Sequence, residues 1–523
     1  MQMNLFIVSL CSMALLWGCS DDSGAKNGDV GPDSLSPDGL VHDVADGVDA
    51  VDGLDDVVIP GLSQTFSFGV VMGNPKPSWG DATTASLAAR AGCNSLRPKL
   101  PEYHLDRWGY EIEVADMRSY AEDGLHRLIA FVTGPTREHS TMPAAEPDWK
   151  RDYYIPRNLH APIWLAEGVV NPENYWAAYL FRTMSIYGEW VRYWEIWNEP
   201  DWVGDWRVAQ AWWTRAPTAA DLPRFNGSIF DYNRMLRIAW EVKEVVAPHT
   251  FIAVGGLGYD SFLDAIVRYS DHPDDGRVDA DHPHRGDHYF EVVSFHHYPH
   301  LASPGHSDAS ARGLLEHKAR FQAVLDAHDV AAKRWIVTES GAAATSLAGV
   351  TSGPAYARNY LMKVMALAHA DGIDGIHWFK LSDTPNAGAD PFGHMGLYPD
   401  LSDVETPEQA ALSDLGVAYR TLGLFLHGAR ARLDTPPWEG AAQGVRGVAY
   451  QLADGRAAWL LWIEGDDAAA QVATRLTVPP DVTALRAHAW DHSRTLQSTP
   501  IDVRDGVAEL SLSSSPQFFV ETP

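Results

Sequence analysis

From residue 65 onward, short apolar runs rich in Val, Ile, Phe and Trp alternate with longer stretches whose apolar residues recur at helical spacing. The runs "TFSFGVVMG" (65–73), "NSLRPKL" (94–100), "HRLIAFVTG" (126–134), "RYWEIWN" (192–198), "FIAVGGL" (251–257), "FEVVSFHHY" (290–298), "KRWIVTES" (333–340) and "GIHWFKL" (375–381) predict buried strands. Between them, "PENYWAAYLFRTMSIYGEW", "FDYNRMLRIAWEVKEVV" and "ARGLLEHKARFQAVLDAH" read as amphipathic helices. Eight strands with intervening helices predict an α/β fold, a (β/α)8 TIM barrel over residues 62–428. The eighth helix is expected in "TPEQAALSDLGVAYRTLGLFLHG", with Thr406 and Gln409 forming a capping box and Pro407 at the first helical position. After Gly428 the helical spacing ends. "VRGVAYQLADGRAAWLLWIEG" reads as two strands about an Asp454-Gly455 turn, and residues 429–523 predict an all-β sandwich module.

The chain begins differently. Leu5 to Trp17 is an apolar run too short to span a bilayer, followed by small residues, as in a secretory signal peptide. "LLWGCS" resembles the bacterial lipoprotein cleavage box, although no Lys or Arg precedes the apolar run. That resemblance implies export, a lipidated Cys19 as first mature residue, and a cell-envelope location. Residues 20–61 repeat Asp among Gly, Pro and Val without aromatics, which predicts a disordered tether. Eleven Asp, no Glu and one Lys between 21 and 60 supply −10 of the net charge of −29. No basic stripe exists, which argues against nucleic acid as a partner; membrane contact is expected only through the lipid. Once the signal and Cys19 are set aside, Cys93 is the one remaining cysteine, so no intrachain disulfide is expected and a small buried thiol is.

The barrel reading gives the ends of its strands chemical meaning, because catalytic groups gather at the C-terminal mouth. Strand four ends in Asn198-Glu199-Pro200, strand six in His296-His297-Tyr298 and strand seven in Thr338-Glu339-Ser340. Two carboxylates brought to one mouth suit glycoside hydrolysis, which needs an acid and a base or nucleophile and no cofactor.

"WEIWNEPDW" together with "RWIVTESG" resembles the clan of retaining (β/α)8 glycoside hydrolases with Glu on strands four and seven. "NPENYWAAYLFRTMSIYGEWVRYWEIWNEPD" is similar to family 39, with family 5 a close rival, and the resemblance spans roughly residues 65–427. It implies that Glu199 is the general acid/base, Glu339 the nucleophile, and Asn198 a partner of the sugar 2-hydroxyl. His296 and Tyr298 match the clan's His-x-Tyr, Arg97 its arginine beneath the nucleophile, and Trp378 the aromatic floor of the sugar subsite. Glu199, which must start protonated, is expected to have a raised pKa.

Two features stay open. Trp202, Trp206, Trp212 and Trp213 form either a subsite wall or interior packing. The run at 271–288, with four His and many Asp, reads as an irregular loop rather than a metal site. The expected function is hydrolysis of a polysaccharide or oligosaccharide by double displacement. The alternatives are a non-catalytic surface glycan-binding lipoprotein or a transglycosylase on the same scaffold.

Overall fold

The computed structural model describes residues 61–523 apart from 74, 77, 303, 304, 435, 436, 468 and 523. The signal, Cys19 and nearly all of the Asp-rich tract lie outside the described residues. All eight predicted barrel strands are present: β1 Ser67–Val71, β2 Ser95–Leu96, β3 Leu128–Val132, β4 Val191–Ile196, β5 Phe251–Ala253, β6 Val292–His297, β7 Arg334–Ser340 and β8 Gly375–Phe379. They pair in parallel in the order β2-β1-β8-β7-β6-β5-β4-β3. A parallel bridge between Lys99 and Phe131 brings the two ends of this sheet together, so the ring is nearly closed.

Alternation along the strands fills the barrel in layers. Ile129, Tyr193, Ala253, Val292 and Ile336 form one apolar layer. Two residues further along their strands, Glu195, Ser294 and Thr338 form a polar layer nearer the mouth, hydrogen-bonded to one another. On β1, Gly69 is required by close approach: a Cβ there would lie 2.3 Å from the His377 ring.

The eighth helix starts later than its sequence signal. The Gln409 side chain accepts from Thr406 N, but the box caps only a 3-10 turn, Pro407–Gln409. The helix itself runs Asp414–Leu426, with Ser413 as N-cap. Ala410, Ala411 and Leu412 separate the two signals, and the second start, led by Ser413, carries the apolar periodicity.

The C-terminal strands are β9 Arg430–Ala431, β10 Val445–Gln451, β11 Ala457–Ile463, β12 Val472–Thr477, β13 Ala484–His488, β14 Thr499–Arg504, β15 Val507–Leu512 and β16 Gln517–Glu521. They form an antiparallel array in the order β9-β10-β11-β16-β13-β14-β15-β12. The sheet centre is buried on both faces. Trp459, Leu461, Ile463 and Phe519 face the module's own core, whereas Leu460, Trp462, Phe518 and Val520 join the barrel's core. That double burial explains why β11 reads as the unbroken apolar run "AAWLLWI" instead of alternating. Among the described residues, no helix is long and apolar enough to cross a membrane.

Candidate active site

Arg97 is the hub of the mouth. It extends β2 on the face that carries Ser95, and it is 4% exposed. Its Nε donates to Glu195 Oε2, its Nη1 to Glu339 Oε1 and its Nη2 to Asn198 Oδ1, each at 2.7 Å. Burial opposes its charge, but Glu195 and Glu339 outweigh it and hold the guanidinium even more firmly protonated than usual. Glu195 is fully buried, and its Oε1 accepts from Ser294 Oγ at 2.8 Å and Thr338 Oγ1 at 2.7 Å. A buried charge this well paired is rigid, so it fixes the guanidinium and, through it, Glu339.

Glu339 is held on both oxygens, since Tyr298 Oη donates to Oε2 at 2.6 Å. Its inward aim depends on an irregularity. Phe295 pairs with Val337 while His296 pairs with Glu339, so β7 carries one extra residue at Thr338. Strict alternation sends 336, 338 and 340 to one side and 339 to the other. The bulge lets Thr338 and Glu339 both serve the barrel interior, and Ser340 turns out to meet Tyr360 Oη at 2.8 Å.

Glu199 stands across the mouth on a turn that runs against ordinary backbone preferences. Trp197 has φ +73° and Glu199 φ +48°, left-handed conformations uncommon for non-glycine residues and concentrated at functional sites. The turn is held by Glu199 N donating to Gly255 O at 2.7 Å and Trp197 N to Val132 O at 3.1 Å. Buried Asp201, just beyond, accepts from the backbone N–H groups of Gly258 and Tyr259, tying this loop to the one after β5. Burial pushes the Asp201 carboxyl up to about 7.

The Glu199 carboxylate accepts from Arg224 Nη1 at 2.9 Å on Oε2, and His296 Nδ1 lies 3.0 Å from Oε1. Burial would raise its pKa, but the His296 hydrogen bond and the charges of His296, Arg224 and Arg97 outweigh that and hold it below the ordinary carboxylate value. This corrects the sequence expectation of a raised value, which left out Arg224 and a protonated His296. The imidazole moves the other way: burial opposes its charge, while Glu339 and Glu199 raise its pKa above the ordinary histidine value. Oxygens of Glu199 and Glu339 and a nitrogen of His296 all lie within 4.8 Å of one another.

Arg97, Asn198, Glu199, His296, Tyr298 and Glu339 are thus brought together. Trp378 is not among them. On β8, Gly375, His377 and Phe379 face inward, so Trp378 faces the helices; it is fully buried, 6.0 Å from the Tyr360 ring, with Nε1 donating to Met395 O. The aromatic residue beside Tyr298 is Phe379, with ring centroids 6.0 Å apart. Period-two alternation from His377 is the signal that separates the two. Of the loop tryptophans, Trp212 is core, Trp206 and Trp213 are exposed, and Trp202 carries the Arg224 guanidinium 4.1 Å from its ring. Glu195 and Arg224 went unremarked in the sequence. Glu195 had a readable signal, a carboxylate inside an apolar strand four residues before Glu199; Arg224, in an irregular segment, had none. Cys93 is a buried free thiol.

The sequence matches no protein-family model and is similar to no curated protein. In fold it is similar to solved structures. A family 39 glycoside hydrolase from Bacteroides cellulosilyticus aligns over 88% of this chain and 81% of its own, with TM-score 0.57 and 16% identity. A family 30 subfamily 8 xylanase from Clostridium acetobutylicum aligns over 89% and 98%, with TM-score 0.52 and 14% identity. An α-L-arabinofuranosidase from Thermotoga maritima aligns over 90% and 98%, with TM-score 0.55 and 10% identity. The matched share is larger than the barrel alone. The chain therefore has the barrel-plus-β-module fold found among glycoside hydrolases.

Proposed function

We propose that this protein is a retaining glycoside hydrolase acting on a polysaccharide or oligosaccharide. The observation that carries the reading is the pair of opposed carboxylates with oxygens within 4.8 Å of each other. Retaining enzymes hold their two carboxyl groups about 5–5.5 Å apart, whereas inverting ones leave about 6.5–9.5 Å for a water. Glu339, fixed on both oxygens by Arg97 and Tyr298, is the nucleophile. Glu199 is the acid/base.

In the free enzyme the Glu199 carboxyl is held below its ordinary pKa and the His296 imidazole above its own, so the pair favours a proton on His296 over one on Glu199. When the substrate's leaving-group side enters, it takes the place of Arg224 at Glu199. The His296 Nδ1 proton then moves to Glu199 Oε1, 3.0 Å away, and from there to the glycosidic oxygen as Glu339 attacks the anomeric carbon. Water, deprotonated by Glu199, later cleaves the glycosyl–Glu339 bond and restores the configuration. Asn198, with its oxygen engaged by Arg97, offers its amide N–H groups to a sugar hydroxyl. The sequence features at Cys19 support export and lipid anchoring as part of the same proposal.

The test is a hydrolysis screen on nitrophenyl glycosides and polysaccharides, followed by NMR of the first product anomer. Retention with loss of turnover in Glu339→Gln is the expected result. An inverted product, or binding of glycans without turnover, rejects the reading. Product analysis with an added acceptor alcohol distinguishes hydrolysis from transglycosylation.

A further inference from the structure

The segment between the helix Asp260–Arg268 and the 3-10 turn Gly286–Tyr289 is long, polar and without regular structure of its own. Its neck is closed by an antiparallel bridge between Ser270 and Arg285. Asp271, buried at its base, pairs with Arg234 and Arg237 at 3.2 Å. Beyond that base the loop has little apolar material, and its Val278 is exposed. The loop is otherwise held by polar contacts, Ser270 Oγ donating to Arg277 O and Arg237 Nη1 to Asp281 O at 2.7 Å.

His272 comes from the first half of the loop and is 5% exposed. Asp279 and His282 come from the second half. His282 Nδ1 lies 3.0 Å from Asp279 Oδ1, and His272 Nε2 lies 3.6 Å from Asp279 Oδ2. One ligand atom from each of the three falls within 4.8 Å of the others. Ligand atoms about 2.0–2.1 Å from a tetrahedral zinc stand about 3.3 Å from each other, and the 3.6 Å between His272 Nε2 and Asp279 Oδ2 is near that spacing, while His282 Nδ1 is hydrogen-bonded to Oδ1 of the same carboxylate. The 3.6 Å contact exceeds hydrogen-bond reach.

Asp279 Oδ1 also caps the turn, accepting from the N–H groups of Asp281 and His282. Oδ2 is what remains to face His272. The far side of that imidazole has the arrangement common behind zinc-bound histidines: Nδ1 stands 3.0 Å from the Asp275 carboxylate. In the tautomer that carries its proton on Nδ1, beside Asp275, Nε2 presents a lone pair toward Asp279 Oδ2, and a cation fits between them. Without a metal, Nδ1 accepts from the N–H of Asp274 at 3.3 Å, so metal binding at Nε2 exchanges that bond for one to Asp275. Arg277 Nε, 3.7 Å from Oδ2, belongs to a side chain that is 57% exposed and able to move aside.

We propose that His272, Asp279 and His282 bind one divalent ion of the zinc class, with water as fourth ligand, and that this ion staples the loop. Two imidazoles and one carboxylate favour zinc-like ions over calcium or magnesium, which require oxygen-rich shells.

The test is titration of chelator-stripped protein with zinc chloride, by calorimetry and by thermal unfolding. Glu199, His296 and Glu339 form a second cluster able to take a cation, so the variants must separate the two. The expected result is one zinc per chain and a higher unfolding midpoint, retained in Glu339→Gln and lost in His282→Ala and His272→Gln. Asp275→Asn should weaken binding about ten- to hundredfold. His282, partly exposed, is the safer variant, and its circular dichroism should match wild type. The proposal is overturned by absence of zinc binding, by equal binding in His282→Ala, by loss of binding in Glu339→Gln, or by calcium binding as tightly as zinc.

Discussion

Arg224 donates to Glu199 Oε2 at 2.9 Å, so the side chain assigned as acid/base is ion-paired before any substrate arrives. Arg224 is itself stacked on Trp202, which orients the guanidinium. The groups facing Glu199 are Arg224, His296 and Arg97, which favour its charge, with Glu339 across the mouth. Removing Arg224 takes away one of the charges that hold the Glu199 carboxyl below its ordinary value of 4.5. In Arg224→Met the carboxyl should therefore hold its proton to higher pH, and the descending alkaline limb of kcat/KM should move up. Measured pH profiles check this; an unmoved limb means Arg224 does not govern the acid.

The same pair has a stability signature. A carboxyl depressed below 4.5 contributes stability that is present above that value and lost as pH falls through its folded-state pKa. A histidine raised above its ordinary value of 6.5 contributes stability that is present below 6.5 and lost as pH rises through its own folded-state pKa. The joint contribution is greatest between those ordinary values. His296→Ala should flatten the pH dependence of the unfolding midpoint across that window, and a curve parallel to wild type would remove His296 from the account.

The two carboxylates should separate by leaving group. Glu339→Gln should abolish turnover on every substrate. Glu199→Ala should lose about 10²–10⁴-fold on substrates with poor leaving groups and far less on nitrophenyl glycosides, which need no acid. Added azide should then restore deglycosylation and give a glycosyl azide of retained configuration. An azide product of inverted configuration would exchange the two roles.

The barrel, its eight strands and the approach of strands four, six and seven to one mouth were legible because apolar run length and helical spacing reflect burial directly. Side-chain direction was legible only where alternation holds. It separates His296 and Tyr298 from His297, and applied to β8 it separates Phe379 from Trp378. It fails at Glu339, because the extra residue at Thr338 leaves no mark in composition. Arg224 was hidden for another reason: it reaches Glu199 from an irregular segment, where no period ties sequence to direction. The lowered pKa of Glu199 was hidden with it, because Arg224 is one of the charges that lower it.

Cys19 and the Asp-rich tract carry an expectation of their own. A Cys19→Ser variant should leave the membrane fraction, with activity otherwise intact, since the cleft is built from residues 97 onward. Fractionation of expressing cells checks it, and wild-type membrane retention would refute lipid anchoring. Proteolysis should cut first between residues 20 and 61 and leave a resistant remainder.

The β-module should not be released in that experiment, because a buried ion pair fastens it. Asp308 and Lys363 come from the helices Ser307–Ala327 and Pro354–Ala370, and Lys363 Nζ donates to Asp308 Oδ2 at 2.7 Å. The same carboxylate accepts from the Trp462 indole at 2.6 Å and from Gly465 N at 2.9 Å, both in the module, and Lys363 also donates to Gly465 O at 3.1 Å. Burial already holds the Lys363 ammonium below its ordinary pKa, with Asp308 opposing the shift. Asp308→Ala leaves that ammonium unpaired and should cost about 3–5 kcal/mol. The sign of the pH response identifies the cause. Without Asp308 the lysine is more easily deprotonated in the folded state than in the unfolded one, so the variant should gain stability relative to wild type as pH rises toward the ordinary lysine value of 10.5. Adding Lys363→Met should recover much of the loss at neutral pH, since the pair is then replaced by apolar volume. Chemical denaturation of the three proteins at two pH values measures both effects. Equal stability of Asp308→Ala and wild type, or additive losses in the double variant, would mean that the pair does not fasten the module to the barrel.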